Sequence, residues 1–548
     1  MDHRDSHTWR FMIGAYSASD DAFQLFHQMV MESFLPMKVT VISILSSCVG
    51  EKYLLEGKRI HAFVEGSNLQ YDMEVGNTII SMYSKCQCLS KALEFFYAMP
   101  LHNVVSFNTM MTSLVHHQMG QEALDLFYKV NLFAITPNDV TFISALSACG
   151  SILQLLDGKS IHVCVRSSEF VDETVLQNAL LNMYGKCGSL EEAKTLFWRM
   201  PRREVATWNC MITSYMQHDQ CEAALQLFHQ MQAIGTFPNN VTFANILSVC
   251  VNTMSLSEGR RLHSRLTSAS SCLDVVLGTA LVNMYGKCGS FEDASIVFGN
   301  IMSRDVILWN AMIEIYVKYG QGSEAIKLFE EMVVMGSIPT KVTFINILDG
   351  FMDLSAGKHM HKIISERGLE TDVMVATSLM NMYGNFGSLD DVFMVFDKMQ
   401  EHDLVSWNAF LAVLSRHDKA QESLSSFQKM LSEGILPDKV SYITLCDACG
   451  SRALLREGIR IHALIVSSKL EMDIQLRNSV INMYGKCGNL NLSRRIFEDT
   501  IEQDEFTWNA IIASHAQAGE GLNAIHFFHQ MQEKGLIPER FTYVNLKY

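Results

Sequence analysis

The chain has 548 residues, of which 48% are hydrophobic, 18% are charged and 8 are proline, so its composition excludes a disordered or linker-rich protein. Its 43 Lys and Arg against 58 Asp and Glu give a formal net charge of −15, which argues against loose binding of nucleic acid or anionic lipid over the whole surface but leaves room for a local basic row. No apolar run approaches the ~18 residues of a membrane span and no secretory leader opens the sequence, so the 14 cysteines are expected to be reduced thiols in an intracellular compartment.

A repeat with a period of 101 residues dominates the sequence. An aromatic-Asn dipeptide recurs at steps of 101, 101, 98 and 101 residues, with its asparagines at Asn108, Asn209, Asn310, Asn408 and Asn509. Two further patterns recur between these dipeptides, one typified by 140–149 and the other by 178–188. Each period therefore divides into a first-, a second- and a third-type unit of 35, 35 and 31 residues, as in 104–138, 139–173 and 174–204.

These units predict five triplets in chain order. The tail of a truncated unit at 1–5 precedes them, and a first-type unit at 505–539 and the start of a second-type unit at 540–548 follow them. The triplets span 6–103, 104–204, 205–305, 306–403 and 404–504. Because both ends cut through a unit and polar capping repeats are missing, we expect the chain to be an internal fragment of a longer protein.

Within each unit the apolar residues follow a helical period twice. In 205–239, one apolar stripe runs from Trp208 to Tyr215 and a second from Ala224 to Met231, and Pro238 is expected to end the second helix. Each unit is thus predicted to be a helix-turn-helix hairpin. Since one hairpin cannot bury its apolar stripes alone, the expected fold is all-α, an α-solenoid superhelix of stacked hairpins.

Three motifs mark the three kinds of unit. They are Trp-Asn-Ala-Met-Ile at 309–313, Gly-Lys-Arg-Ile-His at 57–61 and Asn-Met-Tyr-Gly-Lys-Cys-Gly-Ser-Leu at 182–190. Together with the order of 35-, 35- and 31-residue units, they resemble the PLS class of plant pentatricopeptide repeat (PPR) proteins over essentially the whole chain. The resemblance implies binding of single-stranded organellar RNA in a mitochondrion or chloroplast, usually to mark cytidines for editing to uridine, although no transit peptide opens this chain.

The chain itself is not expected to be an enzyme. A zinc deaminase needs His-x-Glu followed by Pro-Cys-x-x-Cys, and none of the 19 histidines has Glu two residues later, so no deaminase domain of the DYW type is visible. An editing deaminase would have to be a partner in trans or lie in a missing C-terminal segment, and no cofactor is expected. The competing hypothesis is a protein-protein interaction scaffold of the tetratricopeptide type, whose uniform period of about 34 residues does not fit these units.

In the family, a base is read by the fifth residue of a unit together with its last residue, and the resemblance carries this role onto the first- and third-type units. Asn offers a base edge a donor and an acceptor, Thr a hydroxyl and Asp an acceptor. The second-type units have Ile or Ala at the fifth position and are expected to be weak readers. The predicted reading pairs are Asn77/Asn103, Asn108/Asn138, Asn178/Glu204, Asn209/Asn239, Thr279/Asp305, Asn310/Thr340, Thr377/Asp403, Asn408/Asp438, Asn478/Asp504 and Asn509/Glu539. An Asn near a helix start can alternatively cap the helix.

A row of cations, eight residues after the fifth position, is predicted to contact RNA phosphates. It consists of Lys85, Lys186, Lys287, Lys318, Arg416 and Lys486. Apolar residues at the second position, such as Val105 and Val175, are expected to lie between bases. The alternative role for the cations is to complement the negative end of the helix dipole.

Two other patterns could suggest metal chemistry, and both are predicted to be structural. Cys446 and Cys449 form a CxxC, but the fourth triplet has Phe351 and Phe386 where the other triplets have recurring cysteines, so these thiols are expected to fill core volume. Five histidines lie about 100 residues apart, too far to converge on one metal ion, and are expected to make structural hydrogen bonds. They are His61, His162, His263, His361 and His462.

Overall fold

The computed structural model describes residues 6–16, 20–133, 135–269, 274–351, 353–468, 470, 473–500, 503–538 and 542–543. Over these residues the secondary structure is helical, with 32 α-helices, three short 3₁₀ turns and no strand. In the same part of the chain, no helix is both long and apolar enough to cross a membrane. The predicted all-α fold is thereby confirmed.

The helices alternate between a first and a second helix of a hairpin. The first helices are α1 (Ser6–Ala15), α3 (Lys38–Ser47), α5 (Met73–Lys85), α7 (Val104–His116), α9 (Asp139–Ser151), α11 (Thr174–Lys186), α13 (Val205–Gln217), α15 (Asn240–Asn252), α17 (Val275–Lys287), α19 (Val306–Lys318), α21 (Lys341–Leu348), α23 (Val373–Asn385), α25 (Leu404–Arg416), α27 (Lys439–Ser451), α29 (Ile474–Lys486) and α31 (Glu505–Gln517). Most have 13 residues, whereas α21 has 8 and lies in the unit that is three residues short. The grouping of hairpins into triplets stays a prediction.

The second helices follow short turns. They are α2 (Asp21–Met31), α4 (Leu54–Glu65), α6 (Leu89–Ala98), α8 (Gly120–Val130), α10 (Leu155–Arg166), α12 (Leu190–Arg199), α14 (Cys221–Ala233), α16 (Leu256–Ala269), α18 (Phe291–Asn300), α20 (Gly322–Val334), α22 (Leu354–Glu366), α24 (Leu389–Lys398), α26 (Ala420–Ser432), α28 (Leu455–Ser467), α30 (Leu490–Glu498) and α32 (Gly521–Glu533). The 3₁₀ turns are Glu51–Tyr53, Asn68–Tyr71 and Asn131–Phe133.

One predicted helix end is wrong. The second helix of the unit 205–239 ends at Ala233 rather than at Pro238. Gly235 follows with φ +84°, and the N–H of Thr236 donates to the carbonyl of Met231 at 3.1 Å. This left-handed glycine ends the helix before the proline is reached, because Gly adopts positive φ without a steric penalty.

The chain forms two compact units, Met1–Ser271 and Cys272–Tyr548. In the first unit, α7 packs between α5 and α9 and against its own α8. In the second unit, α29 packs between α27 and α31 and against α30. Each of the two compact units is therefore an α-solenoid, in which a hairpin is covered by its neighbours along the chain.

The recurring aromatic of the first-type units forms the centre of the core. Trp208 in the first compact unit and Trp508 in the second are at most 2% exposed. Phe197 of α12 meets Trp208 edge-on with ring centroids 4.9 Å apart, and Phe497 of α30 meets Trp508 in the same way at 4.8 Å. Because these rings join consecutive hairpins, truncation of one such Trp to Ala should cost about 3–5 kcal/mol.

Candidate nucleic-acid interface

The fifth residue of each unit lies within the first helix and not at its start. The helices α7 and α25 begin at the first residue of their units, so Asn108 and Asn408 are in the second helical turn. A first helix is capped by the last residue of the preceding unit. Asn138 caps α9 in this way, and Asp438 caps α27. The capping alternative therefore applies to the second member of each predicted pair, and not to the first.

The two members of several predicted reading pairs are joined by a hydrogen bond. The side-chain amide of Asn108 donates to Asn138 Oδ1 at 2.9 Å. The same bond, about 30 residues apart in sequence, joins Asn209 to Asn239 at 3.2 Å, Asn408 to Asp438 at 3.0 Å and Asn478 to Asp504 at 3.4 Å. Because each last residue also caps the next helix, the reading side chain is tied to the junction between two hairpins.

Asn103 differs from this arrangement, because it caps a helix instead of bonding its predicted partner Asn77. The Oδ1 atom of Asn103 accepts the Ser106 N–H at 2.9 Å and the Ser106 hydroxyl at 3.0 Å, which completes a capping box at the start of α7. The Oδ1 atom of Asn77 is buried without a hydrogen-bond partner among the described residues. For Asn103 the structure therefore shows the capping role, and its reading role stays a prediction.

Glu204 also differs from the predicted pairing, because its side chain is exposed and makes no hydrogen bond to Asn178 in the described part of the chain. It precedes α13 but does not cap it through its side chain. Glu is one methylene longer than Asp, and it is not among the residues whose short side chains fold back onto the first helical turn. Glu204 is therefore exposed and not bonded to Asn178 among the described residues, and its role as a base reader stays a prediction.

The remaining pairs are not joined either. Among the described residues, no hydrogen bond links the side chains of Asn310 and Thr340, because the Thr340 hydroxyl lies against that of Thr343 at 3.3 Å. The hydroxyls of two threonine readers donate within their own helices, from Thr279 to the Val275 carbonyl at 2.8 Å and from Thr377 to the Val373 carbonyl at 2.7 Å. Their partners Asp305 and Asp403 cap the following helices. Glu539, the predicted partner of Asn509, lies outside the described residues.

Asp438 shows the electrostatics of a bonded pair. Burial alone would raise the pKa of its carboxyl group, but the Ser441 N–H and the Asn408 amide donate to it and the Ser441 hydroxyl lies beside it, and together these groups lower that pKa below its ordinary value. The group is therefore a carboxylate at neutral pH. It can accept a hydrogen bond but cannot donate one.

The six cations that are predicted to contact phosphates are each the last residue of a first helix. All six side chains are exposed, and none of them forms an ion pair with a described carboxylate. Arg416 makes longer contacts with the side-chain oxygens of Asn385 and Asn381, at 3.3 and 3.4 Å. Their position at helix C termini fits both the predicted phosphate role and the dipole role.

One groove in the first compact unit brings the predicted elements together. It has a volume of about 690 Å³, and Asn108 and Asn138 line it together with Lys85 and Val105. Val105 is 51% exposed, so an apolar side chain, a reading pair and a cation share one accessible surface. Val140, the second residue of a second-type unit, lines the same groove and was not among the predicted residues. Its signal was present in the sequence, because Val recurs at that position.

Four of the five recurring histidines make the expected structural bonds. The Nδ1 atom of His162 lies 2.7 Å from the Tyr184 hydroxyl, and the same contact occurs at His61, His361 and His462 with distances of 2.9, 2.8 and 3.0 Å. Burial lowers the pKa of these four histidines. They are therefore neutral core residues at pH 7.

The recurring cysteines are free thiols that are buried or partly buried where they are described. Burial raises the pKa of Cys449 to about 12 and also raises that of Cys446. The thiol of Cys487 faces the backbone carbonyl of Cys449 at 3.6 Å, and no group of three metal-binding side chains occurs among the described residues. Thiols with raised pKa values are poor metal ligands, since the thiolate is the form that binds.

Comparison with known proteins gives a consistent family match. A model described as "PPR repeat" matches eight segments, and one described as "PPR repeat family" matches two more. The eight are 77–104, 105–131, 178–205, 279–306, 375–404, 405–435, 477–504 and 506–536, and the two are 203–252 and 304–353. The matched segments cover more than half of the chain.

Curated relatives and a solved structure point to the same family. A mitochondrial pentatricopeptide repeat-containing protein of Arabidopsis thaliana is 30% identical over 512 residues, which cover 92% of this chain and 67% of the relative. A second protein of this name from the same plant is 30% identical over 512 residues, which cover 91% of this chain and 74% of the relative. A chloroplastic relative from that plant is 28% identical over 496 residues, which cover 90% of this chain and 61% of the relative. The maize pentatricopeptide repeat protein PPR10 shares the fold, with a TM-score of 0.60 and 19% identity over 99% of this chain and 80% of that one, and has also been solved with an 18-nt psaJ RNA element. The chain belongs to the pentatricopeptide repeat family.

Proposed function

We propose that this protein binds single-stranded RNA and selects its sequence through the first- and third-type hairpins, one base per hairpin. The observation that carries the proposal is the groove in which Asn108, Asn138, Lys85 and Val105 meet. A pair of amides can bond a base edge, the exposed valine offers an apolar surface to a base, and the lysine can neutralise a phosphate. A family member solved with bound RNA supports the same assignment.

The base preferences follow from the pairs if the family code applies. The Asn/Asp pairs at 408/438 and 478/504 should favour U, and the Thr/Asp pairs at 279/305 and 377/403 should favour G. The Asn/Asn pairs at 77/103, 108/138 and 209/239 should accept pyrimidines, with C preferred. With the RNA 5′ end at the N-terminal hairpins, the segment 73–504 should select Y-Y-n-Y-Y-n-G-Y-n-G-U-n-U.

We infer that the protein belongs to the PLS class and marks cytidines for C-to-U editing in plant mitochondria or chloroplasts. The order of 35-, 35- and 31-residue units and relatives named mitochondrial or chloroplastic support this. Because no His-x-Glu motif is present, the deamination would be performed by a partner protein or a domain outside this sequence. A tetratricopeptide-type protein scaffold is not favoured, since the repeat models that match are those of PPR proteins.

The proposal is tested by selection from a random RNA pool with the native protein and with Thr279→Asn. Asp305 stays in place in the variant, so the base at that one position should change from G to U while the others stay the same. The change in discrimination should be roughly 1–3 kcal/mol, the range for good base-edge contacts. Enrichment of the same base by both proteins, or binding of duplex RNA as tight as that of single strands, would rule the proposal out.

A further inference from the structure

We infer that the third residue of a unit is a positioning residue for the asparagine reader of the unit before it. Its hydroxyl group holds the reader's carbonyl oxygen, which fixes the orientation of the amide and thereby the base that it selects. The inference rests on the proposed function for its consequence in RNA binding. The contact itself is independent of RNA.

Two junctions show the contact fully formed. The Thr141 hydroxyl donates to Asn108 Oδ1 at 2.7 Å, and the Ser441 hydroxyl donates to Asn408 Oδ1 at 2.6 Å. The amide nitrogens of the same two asparagines donate to the last residues of their own units. An amide that is bonded at both ends cannot exchange its oxygen and nitrogen positions, so one N–H and one lone pair remain in fixed places for a base.

The residue types along the whole chain follow the same rule. All eight asparagine readers are followed, at the third position of the next unit, by Ser or Thr, whereas the Ile or Ala at the fifth position of each second-type unit is followed by Val or Leu. The hydroxyl residues after asparagine readers are Ser106, Thr141, Thr207, Thr242, Thr343, Ser441, Thr507 and Thr542, and the apolar residues after second-type units are Val75, Leu176, Leu277, Val375 and Leu476. A hydroxyl residue thus follows each asparagine reader, and an apolar residue follows each apolar fifth position.

Burial makes this choice of residue type informative. Each of the eight hydroxyl residues is 0% exposed. At a position buried to this degree, an apolar residue such as Val would fill the same volume without a polar group to satisfy. Six further asparagine readers carry a buried Oδ1 without a hydrogen-bond partner among the described residues, namely Asn77, Asn178, Asn209, Asn310, Asn478 and Asn509. At the Asn178 junction the Thr207 hydroxyl is also buried and unpartnered, while at the Asn209 junction the Thr242 hydroxyl donates to Asn239 Oδ1 at 2.9 Å. A buried acceptor requires a donor. The third residue donates to the reader's Oδ1 at the Asn108 and Asn408 junctions. We infer that its hydroxyl can serve the same acceptor at the other six junctions, where the contact is not formed among the described residues.

Helix capping alone does not explain the pattern. The same hydroxyls also join capping boxes, as when the N–H of Asn138 donates to Thr141 Oγ1 at 3.1 Å. The third-type units begin with similar caps, in which the Asp72 and Asp473 carboxylates accept backbone N–H groups, yet their third residues are Val75 and Leu476. The cap therefore forms without a hydroxyl at the third position.

The two threonine readers provide the control. The Thr279 hydroxyl is satisfied within its own helix, and the third residue that follows it is Leu308. Thr377 is satisfied in the same way, and the Ser406 hydroxyl that follows donates to the backbone carbonyl of Asp403 at 2.9 Å instead of to the reader. Ser406 and Ser441 are thus both fully buried serines in capping boxes with an Asp cap, and only Ser441 contacts a reader.

The test compares Ser441→Ala with Ser406→Ala in the full chain. The probe is single-stranded RNA of the sequence that the native protein selects, with each base in turn at the nucleotide assigned to Asn408/Asp438 or to Thr377/Asp403. Ser441→Ala should reduce the preference for U over C at its nucleotide about three- to tenfold, the factor that one lost hydrogen bond produces, and Ser406→Ala should leave its G preference unchanged. Both variants should lower the melting temperature alike, so a loss of base preference in Ser441→Ala alone cannot come from stability.

A second measurement separates this inference from the proposed function. In protein labelled with ¹⁵N-asparagine, the side-chain amide signals of Asn408, identified by their loss in Asn408→Gln, should shift in Ser441→Ala and stay unchanged in Ser406→Ala. Unchanged signals in Ser441→Ala, or a native base preference in that variant, would overturn the inference. A native protein without base preference at this nucleotide would instead refute the proposed code, and the amide signals would still show whether Ser441 holds Asn408.

Discussion

Asp438 allows the capping and reading roles of a last residue to be separated. Its Oδ1 atom accepts the Ser441 N–H at 2.9 Å and the Asn408 amide at 3.0 Å. The Ser441 hydroxyl, whose one hydrogen is donated to Asn408 Oδ1, lies 3.0 Å away. Asp438→Ala removes the helix cap, worth about 1 kcal/mol, and leaves the Asn408 amide without its acceptor, worth about 1 kcal/mol more. We expect α27 and the facing end of α25 to lose about 2 kcal/mol of local stability.

Asp438→Asn should behave differently, because the amide oxygen can accept the same bonds from the Ser441 N–H and the Asn408 amide. Its local stability at pH 7 should lie within about 0.5 kcal/mol of the native value, while the preferred base should move from U towards C. Asp403→Ala is the matched control, since Asp403 caps α25 through the Ser406 N–H at 2.8 Å without bonding a reader. It should lose only the cap contribution, about 1 kcal/mol.

The pH dependence has a definite sign. Because the folded pKa of Asp438 is lowered, its charged form contributes stability above the unfolded pKa of about 3.9, and this contribution is lost as the pH falls through the folded pKa. Asp438→Asn carries no titrating group, so it should become the more stable protein in acid. Hydrogen exchange of peptides within 404–451, read between pH 7 and about pH 3, measures both effects. The reasoning fails if Asp438→Asn exchanges as fast as Asp438→Ala at pH 7.

Further variants test packing, charge and the thiols. In Gly322→Ala the new Cβ would lie 1.7 Å from the Gly350 carbonyl oxygen, so the melting temperature should fall by several degrees, whereas Gly521→Ala at the equivalent helix start meets no atom within 4 Å and should leave it unchanged. Lys186→Gln should weaken RNA binding and reduce the slope of log K against log salt by about 0.7, as measured by fluorescence anisotropy. Cys449→Ala should leave the metal content unchanged by elemental analysis and cost about 1–2 kcal/mol of stability, because the thiol fills a fully buried site.

The repeat pattern was sufficient to predict the hairpins but not the contacts between them. Apolar stripes such as that of Trp208 report which helix faces are buried, and this fixes the all-α solenoid. The bond between Asn108 and Asn138 depends on how closely two helices about 30 residues apart in sequence approach each other. A local sequence pattern does not report that approach. The Pro238 error has a local cause, since Gly235 ends the helix first.

Two of the pairs without a hydrogen bond show different causes. Asn103 has the same side chain as Asn138 and caps its helix in the same way, yet it does not bond its reader, so residue type alone does not decide whether a pair is joined. Glu204 departs because of its residue type, since a longer side chain at the cap position stays in solvent and leaves both the helix start and Asn178 without its bond. Only the Glu204 departure could have been expected from the sequence.

The net charge of −15 does not describe the surface of the first helices. Two acids of the second helices are matched by cations of other second helices: Lys159 bonds Glu192 at 2.8 Å, and Lys358 bonds Asp391 at 2.9 Å. The bond from Lys159 and another from Ser189 lower the pKa of Glu192 to about 2.

The six cations at the ends of the first helices form no ion pair in the described part of the chain, although Lys486 acts on the pKa of Asp447, which burial raises and this lysine lowers. An anionic ligand can therefore meet them without breaking an ion pair. If all six contact phosphates, the slope of log K against log salt should approach about −4. If the protein binds RNA as proposed, few phosphates are neutralised, so its affinity should come largely from contacts to the bases.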